Sequence, residues 1–102
     1  MDKVFTDRLD LNDGTSMPRF GLGTHAVANC AEIVYQSIKD GVRLIDTASV
    51  YGNEKEVGEG ISRAISEGIV KREDLYVVTK LWVKDKHRPE EAIKESLEKL
   101  GL

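Results

Sequence analysis

The chain has 102 residues, and its 15 Lys and Arg against 18 Asp and Glu give it a formal net charge of −3 at pH 7, which argues against nucleic acid as its main partner. With 40% hydrophobic and 32% charged residues, it lies outside the composition range of disordered chains and should fold as one domain. Since no apolar run reaches the roughly 18 to 20 residues that span a bilayer and the N-terminus lacks the pattern of a signal peptide, we expect a cytoplasmic protein without a membrane partner.

The chain opens with a predicted β-hairpin over residues 7–19. Its two arms, residues 8–11 and 16–19, flank the turn Asn12-Asp13-Gly14-Thr15, in which Asp-Gly is a strong hairpin signal. Pro18 has no N–H to donate to a neighbouring strand, so its strand belongs at the edge of a sheet. We therefore expect a small exposed hairpin ahead of the main fold.

Residues 20–102 repeat a strand-then-helix order three times, which is typical of parallel α/β architecture. The predicted strands lie near residues 20–24, 42–47 and 75–79. Each helix has apolar residues on one face, and these are Ala31, Val34 and Ile38 in the first helix, Val57, Ile61, Ala64 and Ile65 in the second, and Ile93, Leu97 and Leu100 in the third. Cys30, the only cysteine, is expected to be a small buried apolar side chain of the first helix.

Capping and stop residues mark the helix boundaries. Asn29 with Glu32, and Asn53 with Glu56, have the spacing of an N-terminal capping box. Pro89 suits the first position of the third helix. The residues that end the three helices are Asp40-Gly41, Gly68 and Gly101, as glycine commonly does.

Ionisable side chains collect at the carboxyl ends of the predicted strands, where parallel α/β proteins bind ligands. Asp46 ends the second strand, Lys80 follows the third, and Tyr51 lies in the loop after Asp46. Because strand side chains alternate, Asp46 and Lys80 can pair if their faces point the same way. An ammonium group favours the phenolate form of a neighbouring tyrosine, so Lys80, held by Asp46, would make Tyr51 a general acid near neutral pH.

Each of these residues has a plainer interpretation when taken alone. A strand-end Asp commonly caps a turn, a loop Tyr is commonly a surface aromatic, and a strand-end Lys commonly extends into solvent. Only their joint placement at one edge of the sheet supports a chemical role.

A second motif competes for the interpretation of the glycines. Gly21-Leu22-Gly23-Thr24-His25-Ala26 fits the G-x-G-x-x-[GA] pattern of a dinucleotide-binding Rossmann unit, with Asp46 further along at a strand end. That pattern must follow a buried central strand, and Pro18 in the preceding segment excludes one. The predicted cap at Asn29 is also too late for the pyrophosphate turn, so we favour a tight passage from strand to loop.

Three segments in order resemble the N-terminal part of an aldo-keto reductase, an NADPH-using (β/α)8 barrel enzyme. The most specific is residues 46–54 (DTASVYGNE) continuing to Val57-Gly58, supported by residues 20–24 (FGLGT) and 78–82 (VTKLW). The resemblance covers nearly the whole chain. It implies an α/β fold in which residues 1–102 are a single partial domain, with the first three βα units of a TIM barrel preceded by a hairpin that closes the barrel's amino-terminal end.

The resemblance implies NADPH-dependent reduction of aldehydes or ketones to alcohols. Tyr51, Asp46 and Lys80 match three members of the family's catalytic tetrad, with Tyr51 protonating the carbonyl oxygen as the nicotinamide delivers hydride. Gly23, Thr24 and Asp46 match positions that line the nicotinamide ribose. No metal site is expected.

The same resemblance assigns the substrate pocket. Val50, Tyr51 and Trp82 match its walls. His25 stands where many relatives place a tryptophan, so the pocket should be smaller, more polar or titratable, and the carbonyl substrate stays open.

The remaining members of the site would lie beyond Leu102, on later barrel elements. These are the tetrad histidine and the residues that hold the adenosine 2′-phosphate. A sheet of three units alone has open edges and an inner face without opposing strands. Three explanations stay open, of which we favour the first: part of a longer enzyme, a truncated product that self-associates or pairs with a complementary piece, or a non-catalytic chain that binds a partner through its sheet edges.

Overall fold

The computed structural model describes residues 7–102. Strands β1 (Arg8–Asp10) and β2 (Ser16–Pro18) form an antiparallel pair in which Leu9 lies opposite Met17. The turn between them is closed by Asp13, whose carboxylate accepts hydrogen bonds from the Thr15 N–H at 3.0 Å and the Thr15 hydroxyl at 2.6 Å. The hairpin predicted from the Asp-Gly turn is therefore present.

Three parallel strands alternate with three helices, which confirms the predicted fold class. The strands β3 (Leu22–Gly23), β4 (Leu44–Asp46) and β5 (Tyr76–Val78) lie side by side in chain order. Each is shorter than predicted. The helices that follow them are α1 (Cys30–Lys39), α2 (Glu54–Ser66) and α3 (Pro89–Leu100). The first helix begins seven residues after β3 ends. In a Rossmann unit the helix begins at the glycine-rich turn itself, so this connection does not fit that alternative.

The helices cover one face of the sheet and form the core there. Ile45 on β4 is fully buried beneath α1 and α2, and Cys30 is buried in the same cluster. Burial raises the pKa of the Cys30 thiol, and the Glu56 carboxylate adds to this effect. On the opposite face, Leu44, Tyr76 and Val78 remain partly exposed, as expected for strands whose inner face has no covering layer.

Both predicted capping boxes are wrong. Asn29 precedes α1 with φ 53°, in the left-handed region, and makes no side-chain cap hydrogen bond. In that conformation its side-chain oxygen does not reach the first N–H groups of the helix. Asn53 precedes α2 and also makes no cap hydrogen bond, because its amide binds the strand ends described below.

The buried face of α3 differs in part from the predicted one: Leu100 is buried as predicted, but Ile93 and Leu97 are not. Ala92, Ser96 and Leu100 face the interior, whereas Ile93 is 57% and Leu97 43% exposed. Leu100 fixes this rotation, since its backbone lies against Gly58 of α2. The small side chains of Ala92 and Ser96 then fit beside the sheet, and no element within residues 7–102 buries Ile93 or Leu97.

Candidate active site

Lys80 and Asp46 form an ion pair at the carboxyl edge of the sheet. The parallel register places Asp46 opposite Val78, two residues before Lys80, so both side chains emerge at the same edge. Lys80 Nζ donates to Asp46 Oδ1 at 2.7 Å and to the Thr47 carbonyl at 2.9 Å. The pairing expected from strand alternation is present, whereas the chemical roles of the two residues stay a prediction.

The surroundings of Lys80 favour its charged form. Partial burial alone would lower its pKa, but the hydrogen bond and charge of Asp46, with a further contribution from Tyr51, outweigh burial and raise the pKa of Lys80 above its usual value. The Lys80 and Asp46 side chains are 47% and 40% exposed, so solvent screens the pair. Lys80 is therefore an ammonium at neutral pH.

Tyr51 lies close to both Lys80 and His25. It ends a short 3-10 turn, Ser49–Tyr51, which Gly52 closes with φ 72°, a conformation that glycine adopts without strain. Lys80 Nζ lies 5.3 Å from the centre of the Tyr51 ring. The His25 ring centre lies 4.9 Å away on a plane tilted by 52°, so His25 contacts the candidate acid directly.

The turn that carries Tyr51 is tied to β5. The Ser49 N–H and hydroxyl donate to the Lys80 carbonyl at 3.2 Å and 3.0 Å. The distance between Tyr51 and Lys80 is therefore set by backbone geometry as well as by the side chains.

The predicted substrate-pocket residues fall into two places. His25 lies against Tyr51, whereas Val50 and Trp82, 48% and 41% exposed, line an open cavity together with Ser49 and Arg88. In the described part of the chain, that cavity is not lined by Tyr51, Asp46 or Lys80. Val50 and Trp82 thus share a cavity with each other, whereas His25 is in contact with Tyr51.

The two predicted cofactor residues next to β3 differ in access. Gly23 is exposed, and a side chain there would meet no atom within 4 Å. Thr24 is fully buried, and its N–H and hydroxyl both donate to the Asp46 carbonyl at 3.0 Å. The backbone at Gly23 is therefore accessible to a ligand, whereas Thr24 is buried and holds the Asp46 backbone by two hydrogen bonds.

Sequence reasoning missed a set of polar residues beneath the ion pair. The Asn53 amide donates to the Thr24 carbonyl, and Thr79 donates to the buried Glu54 carboxylate. The sequence pattern indicates a helix cap at Asn53 and places both Asn53 and Glu54 in the family motif of residues 46–54, but it predicts none of these hydrogen bonds. The available signal was a threonine directly after each of the three strands, namely Thr24, Thr47 and Thr79.

Fold and site together define a class: consecutive βα units with ionisable side chains collected at the carboxyl ends of parallel strands, the edge at which barrel enzymes bind their ligands. The family model for the Aldo/keto reductase family matches residues 16–102. The chain is 52% identical over 99 residues to the NADPH-dependent D-xylose reductase of Candida boidinii, across 92% of this chain and 30% of that protein. It is 50% identical over 97 residues to the NADPH-dependent aldose reductase GRE3 of Saccharomyces cerevisiae, across 90% of this chain and 29% of that protein.

A solved structure of the same family also matches this chain. The crystal structure of a Bombyx mori aldo-keto reductase in complex with NADP matches 94% of this chain and 34% of its own, with a TM-score of 0.86 and 44% sequence identity. The chain belongs to the aldo-keto reductase family. It spans about a third of the length of these relatives. None of the helices within residues 7–102 is long and apolar enough to cross a membrane.

Proposed function

We propose that this chain forms the N-terminal part of an NADPH-dependent aldo-keto reductase that reduces small aldehydes or ketones to alcohols. The observation that carries the proposal is the 2.7 Å pair of Lys80 and Asp46 beside Tyr51. The relatives are named as D-xylose and aldose reductases, which favours open-chain hydroxylated aldehydes among the substrates.

Tyr51 is the general acid in this proposal. Its hydroxyl donates a proton to the carbonyl oxygen of the substrate, which leaves a phenolate. The Lys80 ammonium stabilises that phenolate, and Asp46 keeps Lys80 charged and oriented. The raised pKa of Lys80 supports this division of work, because a neutral amine would not stabilise the phenolate.

The residues at the ends of β3 and β4 suit a bound nicotinamide ribose. The Asp46 carboxylate can accept a hydrogen bond from a ribose hydroxyl, and the open backbone at Gly23 permits close approach. Thr24 would act through the Asp46 carbonyl that it holds. When bound, NADPH supplies the hydride. His25, Val50 and Trp82 are proposed to contact the substrate, with His25 nearest the reacting carbonyl because it lies against Tyr51.

The test measures NADPH oxidation with a reactive aromatic aldehyde and with D-xylose. Two proteins are assayed: the 102-residue chain, and a chimera in which this chain replaces the matching segment of the Candida boidinii reductase. We expect turnover by the chimera, with Tyr51→Phe lowering kcat by about 10²- to 10⁴-fold and leaving NADPH binding unchanged.

Tyr35→Phe is the matched control. It removes a phenol hydroxyl that donates to Glu67 between α1 and α2, away from the strand ends, and should leave kcat unchanged. Equal turnover of the Tyr51→Phe chimera and its parent would refute the role of Tyr51.

A second candidate function is non-catalytic binding of another chain through the sheet. In the described part of the chain, β3 and β5 each pair with β4 alone, and unpaired strand edges can accept a further strand. Light scattering over a concentration series checks this, with growing mass expected for edge pairing. A compact monomer at all concentrations would exclude edge pairing between copies of this chain and would argue against this function.

A further inference from the structure

Two consecutive residues, Asn53 and Glu54, link the ends of all three parallel strands. Asn53 Nδ2 donates to the Thr24 carbonyl at 2.7 Å, and the Thr47 hydroxyl donates to Asn53 Oδ1 at 3.1 Å. The Thr79 hydroxyl donates to Glu54 Oε2 at 2.7 Å. We call these five residues the threonine bracket.

The three threonines occupy equivalent positions. Each is the first residue after a parallel strand: Thr24 follows β3, Thr47 follows β4 and Thr79 follows β5. Each is also adjacent in the chain to a candidate site residue: Thr24 to His25, Thr47 to Asp46, and Thr79 to Lys80. Tyr51 lies two residues before Asn53, in the loop that connects β4 to α2. A shift in the bracket would therefore move His25, Asp46, Lys80 and Tyr51 relative to one another.

Glu54 is an unusual residue to bury. It is 2% exposed, and taking a carboxylate out of water is costly unless hydrogen bonds and charges compensate. Thr79 supplies a hydrogen bond, and the amino-terminal end of α2 supplies a favourable dipole.

Helix capping does not account for Asn53. Its side chain makes no hydrogen bond to the N–H groups of α2, although asparagine is among the best capping residues. Both functional atoms of its amide are committed to strand ends instead. The bracket thus holds the strand ends and the Tyr51 loop together at the expense of an ordinary cap.

Given the function proposed above, we infer that Asn53 and Glu54 are positioning residues that fix Tyr51 relative to Lys80, Asp46 and His25. They do so by fastening the loop that carries Tyr51 to the three strand ends from which the other side chains emerge. Neither residue is assigned contact with a substrate or a cofactor.

The experiment compares Thr79→Val with Thr79→Ser in the full chain. Valine has the shape of threonine without its hydroxyl, so it leaves the Glu54 carboxylate buried without this partner, whereas serine restores the donor. Two NMR measurements report on the site: the titration midpoint of the Lys80 ammonium, and the nuclear Overhauser effect between the Tyr51 and His25 rings.

We expect Thr79→Val to lower the Lys80 midpoint toward the ordinary lysine value of about 10.4 and to weaken the Tyr51–His25 signal, with Thr79→Ser restoring both. Tyr35→Phe serves as the control, because it removes another side-chain hydrogen bond without touching the bracket. Its Lys80 midpoint and ring signal should match those of the parent chain.

Asn53→Asp provides a second variant that protects the helix. Aspartate is as good a capping residue as asparagine, but it lacks the N–H donor that binds the Thr24 carbonyl. We expect α2 to persist by circular dichroism while the Tyr51–His25 signal is lost. If both Thr79→Val and Asn53→Asp keep the parent midpoint and ring signal, the bracket only supports the fold and the inference is wrong. Neither measurement requires turnover, so a failure of the proposed activity leaves this test intact.

Discussion

The two neighbours of α2 are packed very differently. On the α1 side the helices approach so closely that a Cβ at Gly60 would lie 2.6 Å from the Ala31 carbonyl oxygen, and Val34 and Ile61 are completely enclosed. On the α3 side, Leu100 reaches α2, but Ile93 and Leu97 of the same helix remain exposed. Periodicity in the sequence shows which apolar residues share a face, and only packing shows whether this part of the chain covers that face.

The largest effect expected from this contrast is at Ile38. Its side chain has no exposed surface, so Ile38→Ala should leave a cavity and reduce the free energy of unfolding by about 2 to 5 kcal/mol. Ile33→Ala makes the same change on the same helix at a site that is 40% exposed, and should cost within about 0.5 kcal/mol. Urea denaturation measures both. Equal losses would mean that the α1 side is not the rigid core of the chain.

Gly60→Ala probes the close approach of α1 and α2 directly. Alanine favours a helix over glycine by about 1 kcal/mol, yet its methyl group would meet the Ala31 carbonyl at 2.6 Å and push the helices apart. We expect a net loss of about 1 to 3 kcal/mol in the free energy of unfolding. Ser62→Ala, on the exposed side of α2, should be neutral or slightly stabilising, and a stabilised Gly60→Ala would contradict the tight contact.

The same contrast explains how much of the fold was predictable. Strands and helices followed from β-branched runs, 3.6-residue periodicity and the glycines that end helices, and all of these are local signals. The rotation of α3 about its axis, in contrast, has no local signal in the sequence. It depends on the contact of Leu100 with α2, which only the folded chain reveals.

The candidate site also has one part that the sequence predicts and one part that it does not. Strand alternation predicted that Asp46 and Lys80 can pair if their faces point the same way, and the two side chains form an ion pair. Sequence patterns assigned Asn53 to a cap, because its spacing from Glu56 cannot show that Thr24 and Thr47 offer it competing partners. Side chains that bind residues distant in the chain are invisible to spacing rules, however strong their contacts.

The Lys80–Asp46 ion pair is less buried than the contact between α1 and α2 but is held by a direct hydrogen bond, so we expect a smaller effect on stability there. Both side chains are more than a third exposed, so Asp46→Asn should cost no more than about 1 kcal/mol at neutral pH. Because the pKa of Lys80 is raised in the folded state, the stabilisation is fully present below the unfolded pKa of about 10.4. It is lost as the pH rises through the higher folded value. Urea denaturation of parent and variant from pH 7 to pH 11.5 should show their difference shrinking, and a constant difference would exclude this pairing as its cause.

The smallest expected effect is at Ile93, and it sharpens the comparison most. With 57% of its surface exposed, Ile93→Ala should change the free energy of unfolding by within about 0.5 kcal/mol, against several kcal/mol for the identical change at Ile38. Urea denaturation at two protein concentrations measures this, with Ile33→Ala as the reference for an exposed isoleucine. A loss at Ile93 that approaches the loss at Ile38, and grows with concentration, would show that another copy of the chain covers α3, because burial by association scales with the amount of partner.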